Sequence, residues 1–389
     1  MKTQKLSQLI YAALFLLISF SGISQEASEK DSKKLQVSFV YPVGSNGHKS
    51  GQVSNDISFN MIAGYTGGVE AFELGGIYNI VNGNVTGTQI SGFGNAVRGH
   101  VHGFQLAGFI NSNKDFTQGI QIAGFTNLVA DDVKGFQLAG FMNGNKGSVV
   151  GTQISGFLNM ASADVDGFQL AGFSNFSSDI KGSQISGFVN KSGNLRGFQL
   201  AGFVNMAKEV KGVQLSVINL ADSVISGTQI GLVNLSRNGF ISAGLESDDV
   251  IPYGVTFRSG QEQFYTVLTL GLKEDEYWAV GAGFGSRLYL GQESSFFINP
   301  ELRWQNINKD RIKGYQNNNL VRFNANLGYQ FNNLYLTAGP TLNFYHTRKL
   351  NGEGQPVIDL ANKTILDRQS SGNNFQLWMG YNVGMGIRF

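Results

Sequence analysis

The sequence predicts an all-β protein made of a repetitive β array and a β-barrel of the outer-membrane type. The unit Gly-x-Gln-(Ile/Leu)-(Ala/Ser)-Gly-Phe-x-Asn recurs every 15 or 16 residues through the middle of the chain. Beyond it, apolar and polar residues alternate over long segments, which is typical of strands with one apolar face. Only 14% of residues are charged, whereas glycine reaches 52 and phenylalanine 30. Two glycines in nearly every repeat argue against helix.

Residues 1–24 have the composition of a secretory signal peptide. Lys2 and Lys5 precede an apolar run of about twelve residues, which is too short to span a bilayer. Small residues at Gly22 and Ser24 predict cleavage after Ser24. Residues 25–34 then form a charged lead-in, and the chain is predicted to be exported.

Residues 35–66 predict two N-terminal strands. Leu35, Val37 and Phe39 alternate with polar residues, and Ile57 and Phe59 begin a second alternating run. The apolar face resembles that of the C-terminal strands. We therefore expect these strands to close the barrel beside its last strand.

Residues 67–238 form the repeat region, which is anchored by one glutamine per unit. A glutamate, Glu73, occupies the same frame one period before the first glutamine. The glutamines are Gln89, Gln105, Gln121, Gln137, Gln153, Gln169, Gln184, Gln199, Gln214 and Gln229.

Two architectures satisfy this period. A parallel β-solenoid would stack equivalent residues into ladders of Gln, Asn and Phe. An antiparallel arrangement would make each unit one strand of a large barrel, and the alternation of Thr88, Phe104, Ile120 and Phe136 favours it. Membrane barrels carry Tyr and Trp girdles, yet neither residue occurs between Tyr78 and Tyr253. The solenoid is favoured, and the large barrel remains the alternative.

Residues 239–389 predict the strands of an outer-membrane barrel. In the three that alternate clearly, 318–331, 334–347 and 374–389, one face is apolar and the other is polar or glycine, as expected for lipid outside and a polar interior. The chain ends on Phe389, an aromatic terminus of the kind that the outer-membrane insertion machinery recognises. The long connections 309–317 and 348–373 are expected on one side. Candidate strands are 239–247, 251–260, 264–273, 277–290, 296–308, 318–331, 334–347 and 374–389.

The repeat, the opening segment Val37-Ser38-Phe39-Val40-Tyr41-Pro42 and the C-terminal barrel resemble a bacterial surface-repeat protein family. The similarity covers most of the mature chain, although the units at Gln214 and Gln229 depart from the core pattern. The resemblance implies an envelope or surface location and no assigned reaction.

Candidate chemistry is sparse. The chain has no cysteine, which excludes disulfides, thiolate metal sites and a cysteine nucleophile. His100 and His102 lack further ligands nearby in sequence, and His346 with Ser370 or Ser371 is a weak hydrolase pair. We therefore expect no catalytic, cofactor-binding or metal residues. A net charge of +2 gives no support to nucleic-acid binding.

These observations favour a non-enzymatic outer-membrane or surface protein. The barrel would be the anchor in the lipid, and the array a scaffold, adhesion surface or contact site for a glycan or protein ligand. A passive pore, in which all repeats join one large barrel, is the first alternative. A barrel enzyme acting on lipids is the second.

Overall fold

A computed structural model describes residues 31–273, 277–291, 294–309, 318–348, 350, 356–358, 360–361, 363–370 and 372–389. The predicted signal peptide and the first part of the lead-in, 25–30, lie outside the described residues. The fold is all-β, with a single short 3-10 helix, Gly47–Gln52, among the described elements. It consists of a β-solenoid of about eleven turns followed by a closed eight-stranded barrel.

The solenoid is built from parallel strands whose equivalent residues pair from turn to turn, with register shifts near Asn55 and Val210 and one antiparallel pairing at Val43–Gly44. This arrangement confirms the favoured architecture and excludes the single large barrel. Most turns have a long strand of about seven residues and a short strand of about four, which join into single longer strands near the barrel, at Val204–Leu215 and Ile218–Ile230. Gln105 pairs with Gln89 in the preceding turn and with Gln121 in the next. The strands are Ser32–Val40 (β1), Val43–Gly44 (β2), Ser54–Asn60 (β3), Ala63–Thr66 (β4), Gly68–Gly75 (β5), Tyr78–Val81 (β6), Val85–Ser91 (β7), Gly94–Val97 (β8), Val101–Ala107 (β9), Ile110–Asn113 (β10), Thr117–Ala123 (β11), Thr126–Val129 (β12), Val133–Ala139 (β13), Met142–Asn145 (β14), Val149–Ser155 (β15), Leu158–Ala161 (β16), Val165–Ala171 (β17), Ser174–Phe176 (β18), Ile180–Ser186 (β19), Val189–Lys191 (β20), Asn194–Ala201 (β21), Val204–Leu215 (β22), Ile218–Ile230 (β23) and Val233–Ser236 (β24).

Two corners separate the strands of each turn. In the turn of β9 and β10, the first corner is Gly108-Phe109, here named the Gly-Phe corner, and the second spans residues 114–116. Simple alternation places Phe109 on the same face as Gln105, but Gln105 is buried and Phe109 is exposed. The corner interrupts the alternation, so the phenylalanine of each unit points outward.

The glycine two residues before each glutamine is required because neighbouring turns approach each other closely at this position. Gly119 has φ +137°, a region that side chains rarely adopt. A Cβ at this position would lie 1.9 Å from the carbonyl oxygen of Gly103. The repeat therefore keeps glycine here for steric reasons.

The N-terminal strands belong to the solenoid, so the prediction that residues 35–66 close the barrel is wrong. β1 pairs in parallel with β3, and β3 pairs in parallel with β5. On these terminal turns Val37 and Phe59 point outward and are about half exposed. An apolar outward face on a terminal turn produces the same alternation as a lipid-facing strand.

The C-terminal strands form a closed antiparallel barrel, as predicted. Each strand pairs with its neighbours, and pairing of the first strand with the last closes the ring. The eight barrel strands are Phe240–Asp248 (β25), Tyr253–Gln261 (β26), Phe264–Lys273 (β27), Tyr277–Gly285 (β28), Phe296–Asn308 (β30), Asn318–Phe331 (β31), Leu334–Thr347 (β32) and Asn373–Arg388 (β34). Two short strands, Leu288–Tyr289 (β29) and Leu366–Ser370 (β33), pair at the ends of β30 and β34.

The two rims of the barrel differ. Strand directions place the connections 249–252, 309–317 and 348–372 at one rim, here named the long-loop rim. The opposite short-turn rim carries the two-residue turns 262–263 and 332–333. The solenoid enters the barrel at this short-turn rim, and Phe389 ends the chain there. Connections 309–317 and 348–372 lie at the same rim, as expected, but they are not the two longest connections. The connection 286–295, which contains β29, is longer than 309–317 and lies at the short-turn rim.

Candidate functional site

The outer surface of the barrel is apolar. Leu245, Leu270, Leu336 and Met379 come from four different strands and are 58–65% exposed. Their sequence neighbours face the interior and are polar or glycine, apart from the buried aromatic residues Tyr335 and Trp378. This arrangement reverses that of a soluble protein, in which apolar side chains occupy the interior.

The middle of the barrel interior is filled by four charged side chains. Arg258 donates from Nε to Glu301 at 2.7 Å, and Arg303 donates from Nη1 to Glu246 at 2.6 Å. Each arginine also bonds the other carboxylate, so every cation contacts both anions. The four side chains are at most 8% exposed. We name this group the charge cluster.

Neutral groups complete the bonding of the charge cluster. The Tyr265 hydroxyl donates to Glu301 at 2.8 Å, and the Asn382 amide donates to Glu246 at 3.2 Å. Two arginines and two glutamates cancel in charge. A buried cluster of this kind is stable only when its charges are paired and its remaining lone pairs are bonded. Here the cluster spans strands β25, β26 and β30 and occupies the space that a channel would need.

Folded loops close the barrel at the long-loop rim. Asp248 accepts hydrogen bonds from the backbone N–H of Val250 and Ile251 at 2.8 and 2.7 Å, which turns this loop inward. Both residues join a buried apolar cluster with Ile358 and Leu360 from the last long connection. The mouth is therefore covered by apolar side chains.

The solenoid is joined to the short-turn rim by side-chain hydrogen bonds. Thr266 of β27 donates to the carbonyl of Gly231 at 2.6 Å and accepts from the Asn234 amide at 3.0 Å. Gln261 at the end of β26 donates to Ser236 at 2.9 Å. The last solenoid turn thus rests on the β26–β27 hairpin.

Arg287 fills the barrel interior near the same rim. Its guanidinium carbon lies 4.1 Å from the ring centroid of Phe297, 4.5 Å from that of Phe240 and 4.6 Å from that of Tyr335. Its Nη1 donates to Gln330 at 2.8 Å. The aromatic rings stabilise the buried cation and close this end of the interior.

Two amide ladders run through the solenoid core in opposite directions. Each ladder glutamine donates from Nε2 to the Oε1 of the glutamine one turn earlier, at 2.7–2.8 Å. Each ladder asparagine donates from Nδ2 to the Oδ1 of the asparagine one turn later, at 2.8–3.1 Å. The glutamine row runs from Gln89 to Gln229 and the asparagine row from Asn79 to Asn234. Each bond contributes about 1 kcal/mol, and an unpaired buried amide would cost more.

Glu73 ends the glutamine ladder. It is fully buried, and its carboxylate accepts from Gln89 at 2.8 Å and from Asn60 at 3.0 Å. Burial raises the pKa of Glu73 from 4.5 to about 7, and the hydrogen bonds from Gln89, Asn60 and Ser58 oppose that rise. A carboxylate can accept without donating, which suits the last position of a row whose donors all point toward it.

His100 and His102, weighed from sequence as a metal pair, lie at a corner and on the outer face of the solenoid. The His100 ring stacks on Phe116 with centroids 4.9 Å apart, and His102 lies on the outer face of β9. Residues 31–273 and the other described segments contain no group of three His, Cys, Asp or Glu side chains able to hold a metal.

The weak hydrolase pair weighed from sequence is not assembled around Ser370. The His346 ring stacks on Phe375 at 4.5 Å, and its Nε2 lies 3.3 Å from the side-chain oxygen of Asn373. Ser370 is exposed at the end of β33, and Ser371 lies outside the described residues. This geometry gives His346 a packing role at the long-loop rim.

Sequence reasoning missed the charge cluster. Arg258, Glu301 and Arg303 each occupy an inward position of an alternating strand, so the sequence pattern alone places these charges on the polar face. Their pairing joins residues up to 57 positions apart, and alternation alone does not predict such pairs.

No family model, no curated protein and no solved structure matches the chain. In the described part of the chain, no helix has the length and apolar character needed to cross a membrane.

Proposed function

We propose that this chain is a non-enzymatic outer-membrane protein in which the barrel is a closed anchor and the solenoid a rigid periplasmic scaffold. The observation that carries this proposal is the reversed polarity of the barrel, with apolar side chains outside and the charge cluster inside. Such a surface is stable in lipid and would aggregate in water.

The dimensions of the barrel support the membrane assignment. Its eight strands have 9 to 16 residues. A tilted strand crosses a bilayer with about 9–11 residues. Aromatic side chains near the short-turn rim, such as Phe296, Tyr329 and Phe331, are 41–63% exposed and would lie at the interface.

The closed interior argues for an anchor rather than a pore. Eight strands enclose only enough room for side chains. Here the charge cluster fills the middle, while Val250, Ile251 and Arg287 help to fill the ends. The lipid-enzyme alternative receives no support from His346, which contacts Asn373 and Phe375.

The connectivity favours the periplasm for the solenoid, whereas the family resemblance implies the cell surface. In outer-membrane barrels the short turns face the periplasm and the long loops face outside. The solenoid adjoins the short-turn rim, through contacts such as Thr266 with Gly231 and Asn234. We therefore propose that the array extends from the inner side of the outer membrane.

Membrane fractionation with lipid-facing variants tests the anchor. Leu270→Arg with Leu336→Arg should greatly reduce the protein recovered in the outer-membrane fraction, because each buried charge in lipid costs about 2–4 kcal/mol. Ile120→Arg, at an exposed solenoid position, is the matched control and should leave recovery unchanged. Equal recovery of both variants would overturn the anchor assignment.

Planar-bilayer recording tests the closed interior. The wild-type chain should give no stable single-channel conductance. A large, stable conductance would contradict the closed anchor and support a transport function.

A further inference from the structure

One apolar residue stands at the same outward position throughout the solenoid, twelve times in succession. It precedes the short strand of each turn, at the Gly-Phe corner or its equivalent. We name the row the phenylalanine ridge; its members are Ile62, Ile77, Phe93, Phe109, Phe125, Phe141, Phe157, Phe173, Phe188, Phe203, Val217 and Leu232. Eleven of the twelve are 36–53% exposed, and Phe141 is partly buried. The ridge lies outside the solenoid core.

The rings of the ridge stack on one another. From Phe93 to Phe203, successive centroids are 4.7–5.2 Å apart and interplanar angles are 2–14°. Neighbouring rings therefore cover each other's faces, and the ring edges point outward. A sugar binds an aromatic side chain through the ring face, so stacking leaves little of the ridge for a glycan.

The exposed area of the ridge exceeds what a monomer usually leaves uncovered. Taking about 200 Å² for a fully exposed large side chain, the twelve residues expose about 900 Å². The largest apolar patch on a typical monomer is about 300–600 Å². A stable protein–protein interface buries about 800 Å² on each partner. The ridge alone is thus large enough for such an interface.

The composition of the ridge favours a protein partner over a lipid surface. None of its twelve members is Lys, Arg, Tyr or Trp, the residues that attach a protein surface to lipid headgroups. In the turn of Phe109, charge is placed at the other corner, at Lys114 and Asp115.

We propose that the phenylalanine ridge is the contact surface between two copies of this chain. A row with one uniform spacing complements a second copy of itself, because both rows have the same repeat and the outward ring edges of one can pack over the shallow grooves between the ring edges of the other. A two-fold axis would produce such an interface, in which the same patch serves both subunits. This inference does not depend on the membrane assignment.

Sedimentation of the full chain in detergent tests the proposal. Wild type should be a dimer, and Phe125→Glu with Phe157→Glu should raise the dissociation constant at least about 100-fold, because charges would be buried without partners. Lys134→Glu, an exposed change outside the ridge, is the control and should remain dimeric. A wild-type monomer, or a double variant that stays dimeric, would overturn the proposal.

Cysteine cross-linking in intact cells tests the same contact without detergent and without a charged substitution in the ridge. The chain has no cysteine, so Phe141→Cys and Phe157→Cys provide single thiols near the middle of the ridge. Co-expressed, they should form a disulfide-linked dimer under mild oxidation, whereas Lys114→Cys should not. Equal cross-linking of all three, or cross-linking of Lys114→Cys alone, would contradict the ridge as the interface. Ridge thiols that react only with an unrelated protein or stay reduced would also contradict it.

Discussion

Gln89 donates its side-chain amide to Glu73 at 2.8 Å, so a row of ten aligned amides ends on a single buried carboxylate. At the other end of the solenoid, Asn234 donates to Thr266 of the barrel at 3.0 Å. The glutamine ladder therefore ends on a carboxylate within the N-terminal turns, and the asparagine ladder ends on a threonine hydroxyl of the barrel. Beside the buried valine clusters, the amide part of the solenoid core is almost fully hydrogen-bonded, and its stability depends on those terminal partners.

The stability of the N-terminal turns should depend on pH through Glu73. Its pKa is raised from 4.5 in the unfolded chain to about 7 in the folded chain, so the folded state holds the proton more tightly. The stabilisation is fully present below about pH 4.5 and is lost as the pH rises through about 7. Roughly 3 kcal/mol of unfolding free energy is at stake over this range. Urea denaturation at pH 5 and pH 8 measures it.

Glu73→Gln should remove this pH dependence and extend the ladder by one amide, which could donate to Ser58. Glu70→Gln changes an exposed carboxylate on the same strand and should leave the wild-type profile intact. If Glu73→Gln and wild type lose the same stability between pH 5 and pH 8, Glu73 is not the titrating group.

Glycine at the close approach between turns should be irreplaceable. Gly119→Ala places a Cβ 1.9 Å from a backbone oxygen at a positive φ, and we expect a loss of several kcal/mol or failure to fold. Gly144→Ala is the control, since its Cβ would meet only the ends of the Leu128 and Met142 side chains at 3.1 and 3.2 Å. Thermal unfolding of both variants provides the comparison. If both variants unfold at similar temperatures, neighbouring turns can move apart to accommodate a Cβ at position 119, and the prediction is wrong.

Removing one arginine of the charge cluster should destabilise the barrel. Arg303→Met leaves Glu246 and Glu301 with a single cation between them, which should cost about 3–5 kcal/mol. The double variant Arg303→Met with Glu301→Gln restores charge balance and should recover part of the loss. Electrophoresis of heated and unheated samples reports the temperature at which the barrel opens. An unchanged opening temperature in Arg303→Met would show that the cluster contributes nothing to closure.

The repeat and the barrel could be predicted from sequence because each has its own periodicity. The spacing of the glutamines predicted the ladder and placed Glu73 in its frame. The candidate segments matched all eight barrel strands, and alternation was clear in β31, β32 and β34. The lack of Tyr and Trp between Tyr78 and Tyr253 favoured the solenoid correctly.

Other features could not be predicted because different structures produce the same pattern. Leu35 and Phe59 alternate with polar residues on terminal solenoid turns as they would in a barrel. The chain turns at the Gly-Phe corner, so Phe109 points outward although its place in the alternating pattern predicts the inward face. Arg258 and Glu301 are 43 residues apart, and only the closure of the barrel brings them together.

Topology labelling of single cysteines tests the central claim most directly. In this cysteine-free chain, Lys363→Cys lies on the last long connection and Lys134→Cys on the exposed face of the solenoid. A membrane-impermeant thiol reagent should label Lys363→Cys on intact cells, and Lys134→Cys only after the outer membrane is permeabilised. Labelling of Lys134→Cys on intact cells, with Lys363→Cys protected, would contradict a periplasmic scaffold on an outer-membrane anchor.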